Sequence, residues 1–441
     1  MHSRTTTNRS EVTVSVSVAS TSGRRSRREI IKEHLHHPMH HLDQRRDAVR
    51  GFSPAWFTAS MSTGIVSTLF YNFPYYWDPL RYIGMVVAGF NLLLVIAFTV
   101  LFLWRLIQYR DFLDILFHPQ ISMTLAAIPM AYSTLTTTIA TILGWYNLSW
   151  APTLVVVLWA GCVALSLATA LLVTFTATSH QGHPFDKVTA TLLMPVVSLI
   201  VAAAAGSTVA SLQTVGSIAV NVIITSYALL AMGLGAALMI LTFYFIRLVL
   251  FKLPARETVV SSFLPLGPLG QSSNAILVLG TQAQRVFPTM VPHIPLVGDI
   301  LFSLGFIIGL FLWALAIWWL AHAIYGVIYT RTTGRVPFNL GWWALIFPAG
   351  TFATGTYQLW LITEHSFFRV LAAILTAAIV LLWVVVMVNT FCYAWTGELL
   401  KPVSIGHLEL QDNSEMSTPS PPSPSPSLSP SPLISDPGHL V

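Results

Sequence analysis

Almost all the residues able to do chemistry inside this chain's apolar blocks are hydroxyls. Block 121–144 carries Ser122, Thr124, Ser133, Thr134, Thr136, Thr137, Thr138 and Thr141. Block 188–211 carries Thr189, Thr191, Ser198, Ser207, Thr208 and Ser211. Asp, Glu, Lys and Arg stay near block ends. No block sets two carboxylates together, a nucleophile beside a base, or His and Cys at metal-ligand spacing, so neither an enzyme nor a metal or cofactor site is expected. A Walker-type Gly-rich motif is missing as well. Cys162 and Cys392 lie in apolar blocks and read as small hydrophobes. His322 reads as a packing or interface residue. Proton-coupled carriers usually hold ionisable relays within the membrane. A neutral lining of hydroxyls, backbone dipoles and aromatic rings instead suits an anion that is bound weakly and released quickly.

The elements that must position these hydroxyls are membrane helices. Of 441 residues, 54% are hydrophobic and 9% charged, where soluble domains carry about 25% charged residues. Apolar runs of roughly 20 residues match a hydrocarbon core about 30 Å thick at 1.5 Å rise per residue. Ten such spans are expected, at 54–72, 82–107, 121–144, 152–177, 188–211, 216–249, 259–281, 296–329, 340–362 and 367–396. Residues 1–50 form a basic, His-rich flank (His34, His36, His37, His40, His41), read as mostly disordered with a short surface helix from Glu29 to Arg50. No cleavable signal peptide is expected ahead of the first span. Residues 401–441 are a tail whose Ser/Pro tract also reads as disordered. Ten of the 22 Lys and Arg fall in the first 50 residues, so the net charge of +5 describes a flank and not a nucleic-acid surface.

Odd and even spans differ in kind. Pro129, Pro195, Pro265 with Pro268, and Pro348 lie inside spans three, five, seven and nine, and Pro54 opens span one. The even spans have no internal proline. Pro129, Pro195, Pro265 and Pro348 recur at intervals of 66, 70 and 83 residues, a period that suits a repeated helical hairpin. Interior proline frees a carbonyl, which lipid does not satisfy but neighbouring helices or water do. The alternation predicts an all-α membrane protein with five hairpins around a central pore, kinked odd helices inside and smooth even helices facing lipid. Close packing of small residues is the competing explanation of the hydroxyls. Candidate lining residues on the odd helices are Thr63, Ser67, Thr134, Thr137, Ser198, Thr351 and Thr354, with Gln271 as an amide donor.

Several stretches carry a family resemblance. Pro54-Ala55-Trp56-Phe57-Thr58, Met61-Ser62-Thr63-Gly64-Ile65 and Tyr71-Asn72-Phe73-Pro74-Tyr75 are similar to the opening of fungal sulfite pumps. Phe263-Leu264-Pro265-Leu266-Gly267-Pro268-Leu269-Gly270-Gln271 resembles their seventh span. Asn339-Leu340-Gly341-Trp342-Trp343, followed by Phe347-Pro348, resembles the ninth span of the tellurite-resistance/dicarboxylate transporters, a family that includes slow anion channels, malate transporters and sulfite efflux pumps. The resemblance covers about residues 51–400. It implies five hairpins around a pore in each protomer, a homotrimer, and a gate at Phe347, the aromatic before the ninth-span proline. Tyr132 departs from the pattern, which leads one to expect glycine shortly after Pro129-Met130, so a reshaped lining is expected there.

The resemblance further implies a plasma-membrane exporter of sulfite or bisulfite, needing no nucleotide site. A malate transporter of the same fold is the nearest rival, although a dicarboxylate ordinarily wants an Arg or Lys clamp. A gated anion channel regulated through its tails, near Ser423 and Ser425, is the other.

Loop charge sets the orientation. Arg105, Arg110, Lys187, Arg247, Lys252, Arg256, Arg331 and Arg335 lie on one side, against Arg81, Arg285 and Arg369 on the other. The richer side faces the cytoplasm, which puts both termini there and the sequon Asn147-Leu148-Ser149 outside. Tags at residue 10 and residue 430 should therefore be detected only after permeabilisation; labelling of either on intact cells would refute the orientation.

Overall fold

Backbone within hydrocarbon must satisfy its own N–H and C=O groups, and among the described residues every regular element is helical. The computed structural model describes Val49 and residues 51–395, apart from 76 and 335. The His-rich flank with its expected surface helix, and the Ser/Pro tail with Ser423 and Ser425, lie outside the described residues.

Among the described residues ten long helices follow one another: α1 Phe57–Tyr71, α2 Asp78–Tyr109, α3 Ala127–Tyr146, α4 Ala151–Ser179, α5 Met194–Leu212, α6 Ser217–Phe251, α7 Leu266–Met290, α8 Val297–Thr333, α9 Trp343–Thr363 and α10 Ser366–Trp395. Seven helical segments are long and apolar enough to cross a membrane by length and composition. The helices outside that set are α1, which is short, and α7 and α9, which are diluted by Gly, Ser, Thr and Gln.

Burial separates the two kinds of helix. In α2, α4, α6, α8 and α10 only 22–33% of the most apolar stretch is buried. The corresponding share is 89% for the segment ending in α5 and 67% for the one ending in α3. Every residue of α1 except Phe70 is buried. The buried helices touch in sequence, α1 on α3, α3 on α5, α5 on α7, α7 on α9 and α9 on α1, while each even helix packs on the odd helix before it. Wide apolar surfaces such as Leu93, Phe175, Met239 and Phe311 remain on the outer helices.

Proline works differently from the expected kinks. Pro195 sits in the first turn of α5, Pro129 and Pro268 are each the third residue of their helix, and Pro265 immediately precedes α7. There the missing N–H has no intrahelical acceptor to lose, so proline starts a helix instead of bending one. Short 3₁₀ turns, Pro54–Trp56, Ala190–Leu193, Val259–Phe263 and Leu340–Trp342, lead into α1, α5, α7 and α9. The expected span 121–144 is likewise broken, into Pro119–Thr124 and α3. Pro348 alone among the named prolines lies inside a helix, α9.

Hydrogen bonds from polar side chains knit the ring. Ser62 donates to Trp343 O at 2.7 Å and Thr138 to Gly64 O at 3.2 Å, and Ser273 ties α7 to the outer α8 through Gly309 O at 2.8 Å. At the basic ends, buried Arg105 donates to Asp111 and to Phe52 O, and Arg247 to Asp186 O and Lys252 O. Helices α7 and α9 approach most closely at Gly270, where a Cβ would lie 2.7 Å from Phe352 N and 2.9 Å from its Cα. Backbone cannot yield as a side chain end does, so Gly270→Val should cost about 1–3 kcal/mol of overpacking and lower the melting temperature of the detergent-solubilised protein. Gly89→Ala, with nothing within 4 Å of its Cβ, is the control and should leave melting unchanged; equal melting of both variants would place the α7–α9 contact elsewhere.

Candidate functional site

One cavity of about 630 Å³ is lined by all five odd helices and by no even helix. Its floor is set by the first lining residue of each: Ile65 on α1, Thr137 on α3, Ala204 on α5, Gln271 on α7 and Thr354 on α9. From there the wall rises toward the helix C-termini through Thr68 and Asn72, Thr141 and Trp145, Thr208 and Ser211, Asn274 and Gln282, and Gln358. The lining residues on each helix recur every three or four positions, as one helix face requires. None is charged.

Thr137, Gln271 and Thr354, three of the lining residues expected from sequence, meet at this floor. The other five do not reach the wall, and each hydroxyl has a local reason. Thr63 donates to Ala59 O and accepts from Trp383 Nε1 of α10. Ser67 donates to Gly84 O of α2 at 2.8 Å. Thr134 donates to Met130 O and Ala131 O between α1 and α3. Ser198 donates to Pro195 O and lies 3.5 Å from Ser166 O. Thr351 donates to Pro348 O and approaches Gly267 O. Four of these hydroxyls reach a neighbouring helix, the role that close packing assigns them, and that of Thr134 stays within α3.

Asn72, Asn274, Gln282 and Gln358 were not singled out in the sequence. Stepping from Gln271 by helical spacing would have found Asn274 and Gln282. Tyr132, the departure from the family pattern, bonds Thr99 of α2 at 2.7 Å and is absent from the wall, so it fastens α3 to α2 and does not reshape the lining. His322 packs against Trp318 with the rings tilted at 3.9 Å between centroids, and its Nδ1 lies 2.9 Å from Trp318 O.

Phe347 is 2% exposed and belongs to the main apolar cluster. It lies seven residues before Thr354, about two turns or 10 Å below the floor on the same face of α9. Met130 on α3 and Val197 on α5 hold the same step below Thr137 and Ala204 and are buried in that cluster, while α1 has the buried Thr58 at that step.

At the other end the mouth carries three arginines together with Asp78, which pairs with Arg81 at 3.6 Å, and Glu364. The guanidinium carbon of Arg81 sits 3.5 Å from the centroid of Trp145, a wall residue. Arg285 donates to Ala210 O and Gln213 O at the end of α5. Arg369 lies over Tyr75 and Trp360.

Single cysteines in a Cys392→Ser background give a direct map. Thr137→Cys and Thr354→Cys should react with a membrane-impermeant anionic thiol reagent, at least tenfold faster than Thr63→Cys and Ser67→Cys. Equal rates at all four would mean that the wall has been drawn wrongly.

The profile of the voltage-dependent anion channel family matches residues 51–391. A sulfite efflux pump of Trichophyton rubrum is 34% identical over 355 residues, 80% of this chain and 94% of that one. A sulfite efflux pump of Candida albicans is 28% identical over 333 residues, 71% of this chain and 67% of that one. A malic acid transport protein of Schizosaccharomyces pombe is 22% identical over 400 residues, 85% and 89% of the two chains. A ring of five buried helices about a neutral cavity and a match over most of the sequence agree, and the chain belongs to the voltage-dependent anion channel family, the slow-anion-channel and dicarboxylate-transporter group that its motifs resemble.

Proposed function

We propose that this protein exports sulfite or bisulfite across the plasma membrane through the axis of the odd-helix ring. The observation that carries the reading is the uncharged cavity walled by all five odd helices, in a chain similar to sulfite efflux pumps over four fifths of its length. In this reading all ten long helices cross the bilayer as five hairpins, with both termini cytoplasmic. The odd helices then run outward and the cavity is the outer vestibule. The broad apolar faces of the even helices meet lipid and the neighbours of a homotrimer.

Phe347 closes the path beneath that vestibule. An apolar constriction opposes ion passage by dewetting. The backbone hydrogen bond that Pro348 removes from α9 lets the ring swing without a domain movement. Thr137, Gln271 and Thr354 form the first polar station above it. Driving force comes from the membrane potential, roughly 2.3 kcal/mol per 100 mV for each negative charge leaving. A malate dianion would want a cationic clamp at depth, and the cavity wall carries no cation. The malate transporter is also the more distant relative among those compared.

Proteoliposomes holding the purified protein at a set potential should pass sulfite well ahead of malate. Phe347→Ala should raise flux per molecule several-fold with normal expression. If Phe347 is ordinary packing, the same change leaves a cavity costing about 3–5 kcal/mol; poor expression without gain in flux would exclude the gate, and malate exceeding sulfite would exclude the substrate.

A further inference from the structure

The polar groups of the vestibule divide into two chemical classes. Seven hydroxyls line it, and each is held to a backbone carbonyl. Thr137 donates to Ser133 O at 2.9 Å, Thr141 to Thr137 O at 2.9 Å, Ser211 to Thr208 O at 2.6 Å and Thr354 to Thr351 O at 2.9 Å. Thr68, Thr208 and Thr281 do the same toward Gly64 O, Ala204 O and Leu277 O. A hydroxyl has one proton and two acceptor sites. With the proton committed to the helix, these side chains face the cavity as acceptors. In this geometry the hydroxyl oxygens offer lone pairs to a proton carried by the occupant.

Five carboxamides line the same space: Asn72, Gln271, Asn274, Gln282 and Gln358. Among the described residues none of them has a side-chain hydrogen bond within the protein, and the buried Oε1 atoms of Gln271 and Gln282 are without a partner. Gln271 is 94% buried (6% exposed) at the floor, and an unpartnered buried amide is costly to leave unmatched. Each carboxamide brings two N–H donors and one acceptor.

From this division we propose that the vestibule is a site for a protonated oxyanion. The occupant is hydrogensulfite in its S–OH form, with the carboxamides donating to its S–O oxygens and a hydroxyl oxygen or amide carbonyl accepting its proton. The inference rests on the sulfite reading above and names which ionic form that site takes. Sulfite dianion has acceptors only and twice the charge, and no cation lines the wall to offset it. Hydrogensulfite matches both classes of lining group and needs only the diffuse charge at the mouth. The charged groups at the rim are Arg81 with Asp78, Arg285, Arg369, Glu364 and Asp299, which accepts from Gln284 Nε2 of α7. Two histidines, His293 and His365, lie in the loops on that side.

The second proton of sulfurous acid leaves near neutral pH, so the two forms are separable by pH alone. Initial sulfite flux from proteoliposomes should be measured at fixed potential and fixed total sulfite, below saturation, with equal pH on both sides. Flux should follow the hydrogensulfite fraction, falling about tenfold per unit once pH is well above that proton's pKa. A His293→Gln/His365→Gln double variant must give the same profile, which separates substrate titration from protein titration. Nitrate, a monoanion without a proton, should pass slowly. Gln271→Leu should raise KM for hydrogensulfite about tenfold, the loss of one hydrogen bond to a charged group. Thr137→Val should weaken hydrogensulfite while leaving nitrate unchanged, an outcome that loss of packing would not produce. Flux that follows the dianion, ignores pH, or favours nitrate overturns the protonated-oxyanion site while leaving sulfite export standing. Absence of sulfite flux at every pH overturns the export reading itself, and this inference with it.

Discussion

The hydrogen bond from a serine or threonine hydroxyl to a carbonyl in the preceding turn is the interaction on which this structure depends. In hydrocarbon an unmatched polar group costs several kcal/mol. Helices rich in threonine meet that constraint internally, as in the run Thr134, Thr136, Thr137, Thr138 and Thr141 along α3. Gly270 meets the Phe352 backbone and Gly350 the Ile65 side chain, and the ring closes without any buried ion pair at its centre among the described residues. Charge is held at the ends, where Arg105 and Arg247 clamp turns of the chain.

Helix starts impose a second constraint. The first N–H groups of a helix lack intrahelical partners, and proline removes one of them at no cost. Placing Pro195 and Pro268 in first turns lets α5 and α7 begin partway along the ring after a 3₁₀ turn. Pro348 differs because it lies within α9, one residue beyond Phe347. Pro348 thereby removes one backbone N–H donor from α9 beside Phe347.

Much of the architecture was legible in sequence because it rests on composition. Ten apolar blocks each hold one long helix, and the hydroxyl-rich odd members are the buried ones. Helix-face assignments were less legible. In α1 the residues Thr58, Ser60, Ser62, Thr63, Ser67 and Thr68 surround the helix on every side, so no period separates lining from packing, and Thr63 and Ser67 turned toward α10 and α2. In α7 the amides follow a helical period from Gln271, and that face does line the cavity. The prolines were visible but their meaning was not, since the same residue starts a helix in one register and bends it in another.

The central claim is that a single uncompensated negative charge moves through a neutral axis. Its most direct test is the clamped potential at which net tracer sulfite flux vanishes, measured across known hydrogensulfite gradients in proteoliposomes. One charge per anion predicts a shift of about 59 mV per tenfold gradient. A shift near 30 mV, or net flux driven by a pH difference at zero potential with hydrogensulfite equal on both sides, would contradict it.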